Sequence, residues 1–380
     1  MIILHVCLAS HYTEGMTYQD NLLPLQNALD GHKVVVVSDC FEYKSGELVP
    51  TDEEDRILDN GIRLVRMKYV RLLSDFLSSK VRKVSGLYML IESIRPDVIL
   101  FHGVAGWEML TVAKYKKNTP GVRLYIDSHE DFHNSGKNWI SRFFQYRIFN
   151  RLIVERVKPF VDKFLYLSYE TSHFLQAMYG LRKTELEFYP LGGQVVTYEE
   201  KEKFSKEIRA RHLLSEEDII IVHSGKLEPG KRTEHIIHAF SSVAADHLKL
   251  LIVGSIPSDQ LATLRPLIDA DPRIVFAGWK PAEELIKYLS SANLYFQPGT
   301  QSATMQNAIC CGAPVALYPY PSHEPYVNGN GFWVKEAADF VTVFERIAAN
   351  PVLLNDMSEC SFELARSLLD YKILAARLYV

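Results

Sequence analysis

Cysteine is scarce in this chain: Cys7, Cys40, Cys310, Cys311 and Cys360 are the only five in 380 residues. Their number is odd, their spacing is irregular, and no CxxC or zinc-ligand pattern occurs. A disulfide framework is excluded, and buried thiols in a reducing cytoplasm fit the pattern. No apolar run is long enough to span a bilayer. The start, Met1-Ile-Ile-Leu-His-Val-Cys, lacks a basic leader and reads as a first buried strand. Charge of one sign is not in excess: the net charge of −4 argues against a general nucleic-acid binder. A GxGxxG fingerprint is missing, and with it the dinucleotide signature. Metal-ligand clusters are missing too. Asp269-Ala-Asp271 is an acidic DxD pattern, but it falls between a helix and a strand start, at the wrong edge of a sheet, and reads as a turn. What is left is an ordinary globular balance, 47% apolar and 23% charged, in a chain long enough for two domains.

The first half opens as βαβ. Ile2–Leu8 predicts a strand, Thr17–Leu29 a helix and Lys33–Ser38 a second strand buried on both faces. A right-handed crossover makes the sheet parallel. Gly15, in the first loop, lets a backbone approach a ligand closely. Ile62–Val65, Asp97–Phe101, Arg123–Asp127 and Phe164–Ser168 predict further strands. His102 and His129 stand at the carboxyl ends of two of them, where open α/β sheets bind ligands. A histidine there is either an acid–base or hydrogen-bonding group or a satisfied loop residue. Two stretches are locally basic. Arg63–Lys83 holds seven cations against Asp75 alone, with Leu72, Leu73, Phe76 and Leu77 among them. Lys137–Lys163 is similar and carries Trp139, Phe143, Phe144, Tyr146 and Phe149. Such stretches are either solvated amphipathic helices or contacts for an anionic membrane surface.

Leu191-Gly192-Gly193 reads as the end of the first domain, and a charged helix, Tyr198–Leu213, marks the passage to the second. There a new βαβ series begins. Ile219–His223 is a buried strand that runs into Gly225 with Lys226, Lys231 and Arg232, before a helix from Thr233. Three cations beside a glycine suit a diphosphate; the other reading is a basic surface turn. Leu248–Val253 ends at Gly254, and Leu294–Phe296 ends at Pro298-Gly299. Thr300 or Ser302 can cap a helix that runs to about Cys311, with Gly312 as its stop. A loop of this kind offers free amides and a dipole to an anion. Gln301, Ser302 and Thr304 add side-chain hydrogen bonds, although any strand-to-helix turn has the same outline.

Taken together, these motifs resemble the family-4 (group 1) glycosyltransferases of the GT-B fold over nearly the whole chain. Gly15-Met-Thr-Tyr-Gln-Asp-Asn21, then Gly31-His-Lys-Val, is similar to the family's opening. Asp127-Ser-His129-Glu130 resembles its first-domain histidine segment, and Gly225-Lys226-Leu with Lys231 resembles its diphosphate-binding Gly-Arg-Leu…Lys. Asn307-Ala-Ile-Cys-Cys-Gly-Ala-Pro-Val aligns with the tail of its donor motif. Two departures stand out. Lys226 replaces an arginine, which keeps the charge but loses the bidentate fork. Asn307 stands where the family has its second glutamate, and no acid in the shortened loop replaces the first.

The resemblance implies an α/β fold of two doubly wound Rossmann-like domains facing a cleft. An acceptor-side domain would span 1–193 and a nucleotide-sugar domain 194–365, with 366–380 returning to the first. It implies a metal-independent, retaining hexosyltransferase-like enzyme without a cofactor. Its nucleoside diphosphate sugar would be a co-substrate, its acceptor a glycan or lipid-linked hydroxyl, and its setting polysaccharide synthesis at the cytoplasmic face of a membrane. His129, Lys226 and Lys231 would be catalytic. Gly15, Gly225, Arg232, Gly254, Gly299, Thr300, Gln301, Ser302, Thr304 and Asn307 would complete the donor site. Tyr18, Gln19, Asn21 and His102 would face the acceptor. The alternatives are a nucleotide-sugar 2-epimerase of the same fold and an inactive sugar-nucleotide-binding scaffold.

Overall fold

The structure, a computed structural model, describes residues 1–44, 47–136, 138–139 and 141–379. The chain divides into two compact units. One is Met1–Pro190 together with the residues from Leu374 onward; the other is Leu191–Ile373.

The first unit is built on an eight-stranded sheet in the order Leu186–Phe188, Lys163–Tyr166, Arg123–Ser128, Val98–His102, Ile2–Cys7, Lys33–Ser38, Arg63–Arg66, Glu54–Ile57. All pairs are parallel except the last, where Glu54–Ile57 runs antiparallel at the edge. The β-branched runs of the central strands are buried on both faces, as helices on either side of a parallel sheet require. One face packs Val6, Val37, Phe101 and Ile126 against Val112, Ile153 and Phe174 of the covering helices. The direction of winding reverses between Ile2–Cys7 and Val98–His102. The C-terminal segment belongs to this unit: the Tyr189 hydroxyl donates to Leu374 O (2.7 Å), and Arg377 donates to Phe188 O (2.6 Å).

The strands Phe41–Lys44, Glu47–Pro50 and Glu54–Ile57 are not legible in the sequence. They are only four residues each and mostly exposed, and only Phe41–Lys44 alternates aromatic with charged residues. The last of them overturns the expectation of a uniformly basic Arg63–Lys83 stretch. Cross-strand pairing sets Asp55 against Arg63 (2.7 Å) and Glu54 against Arg66 (2.8 Å). Arg66 is only 3% exposed, and also donates to the carbonyls of Tyr12 (3.1 Å), Asp39 and Phe41 (both 3.2 Å). The second stretch is also partly neutralised: Lys158 meets Glu155 (2.6 Å), and Lys163 donates to Thr184 O (2.9 Å). Lys137 lies outside the described residues.

The second unit holds a six-stranded, wholly parallel sheet. Its order is Ile274–Gly278, Leu248–Ser255, Ile219–Lys226, Leu294–Gln297, Val315–Leu317, Gly331–Trp333. In sequence order these strands stand 3-2-1-4-5-6, the doubly wound arrangement. Its core packs Ile221, Leu250 and Phe296 against Ile236, Phe240, Phe340 and Phe344.

Arg66 and Arg63 test how much the hairpin matters. Arg66→Ala leaves three loop carbonyls without their donor and Glu54 with Arg56 alone, and should cost roughly 3–5 kcal/mol. Arg63→Ala removes an exposed pair and should cost less than about 1 kcal/mol. Urea midpoints of the two variants check this; equal midpoints would show that Arg66 is not a structural clamp.

Candidate functional site

In a doubly wound sheet the adjacent loops part at the point where the winding reverses, and ligands bind beyond the strand carboxyl ends there. In the second unit that point lies between Ile219–Lys226 and Leu294–Gln297. The loops that leave these two strands touch. The Thr300 amide donates to Gly230 O (2.9 Å), and a Cβ on Gly299 would stand 2.2 Å from that same oxygen. Glycine is required at 299 by this close approach. Gly254 and Gly225 are register partners on neighbouring strands, and a Cβ on Gly254 would fall 1.8 Å from Gly225 O.

Beneath the loops lies a buried polar layer that sequence reasoning missed. His223 is fully buried. Its Nδ1 lies 2.8 Å from Phe296 O, so it carries the proton, and Nε2 accepts from the Thr233 hydroxyl (3.0 Å). Burial lowers its pKa to about 4. Ser224 Oγ lies 3.1 Å from the Tyr295 hydroxyl, which donates to Gln297 Oε1 (2.8 Å); Gln297 Nε2 donates in turn to Thr300 O (2.8 Å). The signal was present: His223 is the one polar residue in Ile219-Ile-Ile-Val-His.

The three cations of the first loop have different tasks. Lys231 Nζ crosses to the second loop and donates to Thr300 O (3.0 Å) and Gln301 O (3.4 Å). Partial burial lowers its pKa. Lys226 is exposed and paired with Glu228 (2.7 Å), which raises its pKa. Arg232 is a scaffold residue. It donates to Lys335 O (2.6 Å) and lies over the Phe340 ring at 5.0 Å, with its backbone left-handed at φ 59°.

The helix of the second loop starts later than its sequence suggests. It spans Thr304–Cys310, and neither Thr300 nor Ser302 is its cap residue: Ala303 is, without a side-chain hydrogen bond. Instead, Ser302 Oγ lies 3.1 Å from Thr304 Oγ1 and receives the Thr304 amide at 3.4 Å. Among the described residues no backbone carbonyl takes the amides of Ser302 and Ala303. Asn307 is half-buried, and its Oδ1 would be 3.1 Å from a Cβ on Gly193, so it packs on the linker backbone. Asp271, of the DxD pattern, is bonded to Arg273 (2.7 Å) and Ser241 (2.8 Å). No group of three or more metal-ligating side chains occurs among the described residues.

The carboxyl edge of the first sheet holds a second polar assembly. His5 Nδ1 is 3.0 Å from His102 Nε2, His102 Nδ1 is 2.7 Å from Asp127 Oδ2, and His129 Nε2 is 3.9 Å from Asp127 Oδ1. His5 Nε2 lies 2.8 Å from Asn27 Oδ1, and the Gly103 amide donates to Asp127 Oδ1 (2.9 Å). Burial lowers His5 to about 3. Burial opposes charge on His102 and Asp127 as well, yet each holds the other ionised: His102 is raised and Asp127 lowered. His102 is therefore an interior residue, 2% exposed, rather than a surface contact. Gln19 and Asn21 are buried as well, while Tyr18 is 55% exposed and Gly15 lies in an open turn at φ 75°. His129 stays accessible. Next to it, burial raises Glu130 to about 7, and its carboxyl accepts from the Tyr179 hydroxyl (2.8 Å).

Residues 204–362 match the family profile described as glycosyl transferases group 1. No curated protein matches the chain in sequence. Solved structures match it over its whole length. Sucrose-phosphate synthase from Thermosynechococcus elongatus is 15% identical with a TM-score of 0.67, covering 99% of this chain and 97% of that one. Anabaena Alr3699/HepE in complex with UDP is 13% identical with a TM-score of 0.66, covering 99% and 98%. WaaG, a glycosyltransferase involved in lipopolysaccharide biosynthesis, is 13% identical with a TM-score of 0.61, covering both chains fully.

The buried histidine beneath the site makes the second unit acid-labile. His223 titrates lower folded than unfolded, so the unfolded chain takes up the proton first as pH falls below about 6.5. Stability from this group is complete above that pH and falls by about 1.4 kcal/mol per unit between there and about 4. His223→Gln should therefore show a shallower loss of urea midpoint between neutral and acid pH than the parent. An unchanged slope would show that His223 is not the group that titrates.

Proposed function

With residues 204–362 forming a group 1 glycosyl transferase domain in a chain of GT-B fold, we propose that this protein transfers a sugar from a nucleoside diphosphate sugar to a hydroxyl of a glycan or lipid-linked acceptor. The observation that carries this reading is Lys231, which bridges two glycine-pinned loops at the winding reversal of the second sheet. Phosphate oxygens can replace the carbonyls of Thr300 and Gln301 as its acceptors, and the Ser302 and Ala303 amides are placed to share the charge. Lys226 joins them once it leaves Glu228. As the acceptor oxygen bonds to the anomeric carbon and the bond from that carbon to the diphosphate breaks, the electron pair passes to a phosphate oxygen, and the acceptor's proton leaves with the diphosphate. Fixed cations and amides stabilise it there, without a metal. The HepE structures hold UDP and UDP-glucose, which supports a nucleotide sugar as donor here. Retention of configuration follows the family resemblance, and WaaG supports a role in surface polysaccharide synthesis.

A membrane setting has its own support. Leu73, Phe76, Trp139, Phe143 and Phe144 are between 47% and 98% exposed. Arg71, Arg147 and Arg156 are exposed in the same two stretches. Apolar side chains among cations suit the anionic inner face of a cytoplasmic membrane. No helix among the described residues is long and apolar enough to cross one. A second reading, a sugar-nucleotide binder without turnover, is favoured by Asn307 and by the lack of any carboxylate from Gly299 to Asn307.

Calorimetry with a panel of nucleotide sugars in EDTA tests the donor site. Saturable binding is expected, with Lys231→Ala weaker by roughly tenfold or more and Lys226→Ala affected less. Binding that Lys231→Ala leaves intact would sink the site; binding with no turnover on any acceptor would favour the second reading. For the membrane, co-sedimentation with phosphatidylglycerol vesicles should fall in the Trp139→Ser/Phe143→Ser double variant. Equal sedimentation of both proteins would remove this surface from the proposal.

A further inference from the structure

The histidine assembly of the first unit dictates where its own protons lie. Asn27 Oδ1 only accepts, so Nε2 of His5, 2.8 Å away, carries a proton. Burial keeps His5 neutral, which leaves its Nδ1 with a lone pair. His102 Nε2 lies 3.0 Å from that lone pair and must bear a proton. His102 Nδ1 faces the Asp127 carboxylate at 2.7 Å, and a carboxylate has no proton to give, so this nitrogen bears one as well. His102 is thus an imidazolium held inside the sheet, paired with a carboxylate that is also fully buried. The charge of Asp20 acts in the same sense on the His102 ring.

Asp127 has one further neighbour. Gly103 follows His102 with φ 92°, and this left-handed turn brings its amide to Asp127 Oδ1 (2.9 Å). The same oxygen lies 3.9 Å from His129 Nε2. That is too long for a hydrogen bond, yet close enough for a buried charge to act on the ring. The carboxylate favours the proton of His129 on Nε2, and Nδ1 keeps the lone pair. Asn27, His5, His102 and Asp127 are all buried, whereas the His129 side chain is 47% exposed. Four polar side chains in a core are costly unless they are fully paired. Here the chain they form ends on an accessible ring, at the edge where such sheets bind ligands.

We propose that Asp127, with its charge fixed by Asn27, His5 and His102, is the positioning residue of His129: it holds the His129 proton on Nε2, so that Nδ1 accepts from a sugar hydroxyl of the substrate. This rests on the transferase reading, to which it adds a direction: the sugar donates and the protein accepts.

The test uses the full-length protein, isotope-labelled at its histidine nitrogens, at about pH 8, above the ordinary histidine value of about 6.5. NMR spectra that link ring nitrogens to ring C–H protons show which nitrogens are protonated. Parent, His129→Gln and Asp127→Asn proteins are compared, and the signals lost in His129→Gln identify that ring. In the parent, one ring should carry two protonated nitrogens, and His129 should hold its proton on Nε2 alone. Asp127→Asn should remove one proton from the first ring and give His129 a mixture of both neutral forms. UDP-glucose and UDP-galactose, or methyl glycosides of glucose, galactose and mannose, should shift His129 Nδ1, and UDP should not. The set that acts distinguishes a donor sugar from an acceptor sugar. A parent without a doubly protonated ring would overturn the proposal, and this result needs no variant, so it holds even where Asp127→Asn does not fold. A folded Asp127→Asn protein with His129 unchanged would overturn the positioning role. UDP binding with no sugar moving Nδ1 would overturn the proposal and leave the transferase reading standing. A shift with a methyl glycoside, without binding of UDP or either UDP-sugar, would support the proposal and count against the transferase reading.

Discussion

The second unit's site depends on one backbone contact, the Thr300 amide donating to Gly230 O at 2.9 Å. It joins the two loops at the reversal of winding with no side chain between them. That closeness requires glycine at 299, and it brings Lys231, the neighbour of Gly230, within reach of the carbonyls of Thr300 and Gln301. Gln297 fastens the same Thr300 from below. The loop is therefore held at Thr300 by Gly230, Lys231 and Gln297 together.

Both sheets meet the same difficulty in the same way. A parallel sheet covered on both faces admits polar side chains only where every polar atom finds a partner. Each central strand nevertheless contains a buried histidine, His5 in one unit and His223 in the other. Each lies near a winding reversal and ties its strand to neighbouring elements: His5 to Asn27 and His102, His223 to Phe296 and Thr233. Burial keeps both neutral, which leaves one ring nitrogen to donate and one to accept. A neutral imidazole can bridge two elements in this way, and an aliphatic side chain cannot.

Charge is where the linear sequence misleads most. Lys226, Lys231 and Arg232 look equivalent in a row, yet one is held by Glu228, one spans the two loops and one is spent on carbonyls and the Phe340 ring. Arg63 and Arg66 look like part of a basic surface until a hairpin from outside the stretch brings Asp55 and Glu54 against them. Ion pairs form between strands in space, and a count along the chain does not see them.

Much of the architecture was legible in the sequence. Unbroken apolar runs such as Val34–Val37 and Ile219–Val222, separated by helical segments and glycine turns, specify parallel sheets wound in two units. The loop motifs at Gly225 and Gly299 fall at the edge where such sheets bind ligands. These features are local, since they depend on periodicity and on backbone freedom at single residues. The burial of His102, Gln19 and Asn21, the pairing of His11 with Asp39 and the different roles of three adjacent cations were decided by tertiary structure. Each depends on partners far away in sequence, such as Asp127 for His102 and Asp39 for His11, and only the packed sheet brings those partners within hydrogen-bonding distance.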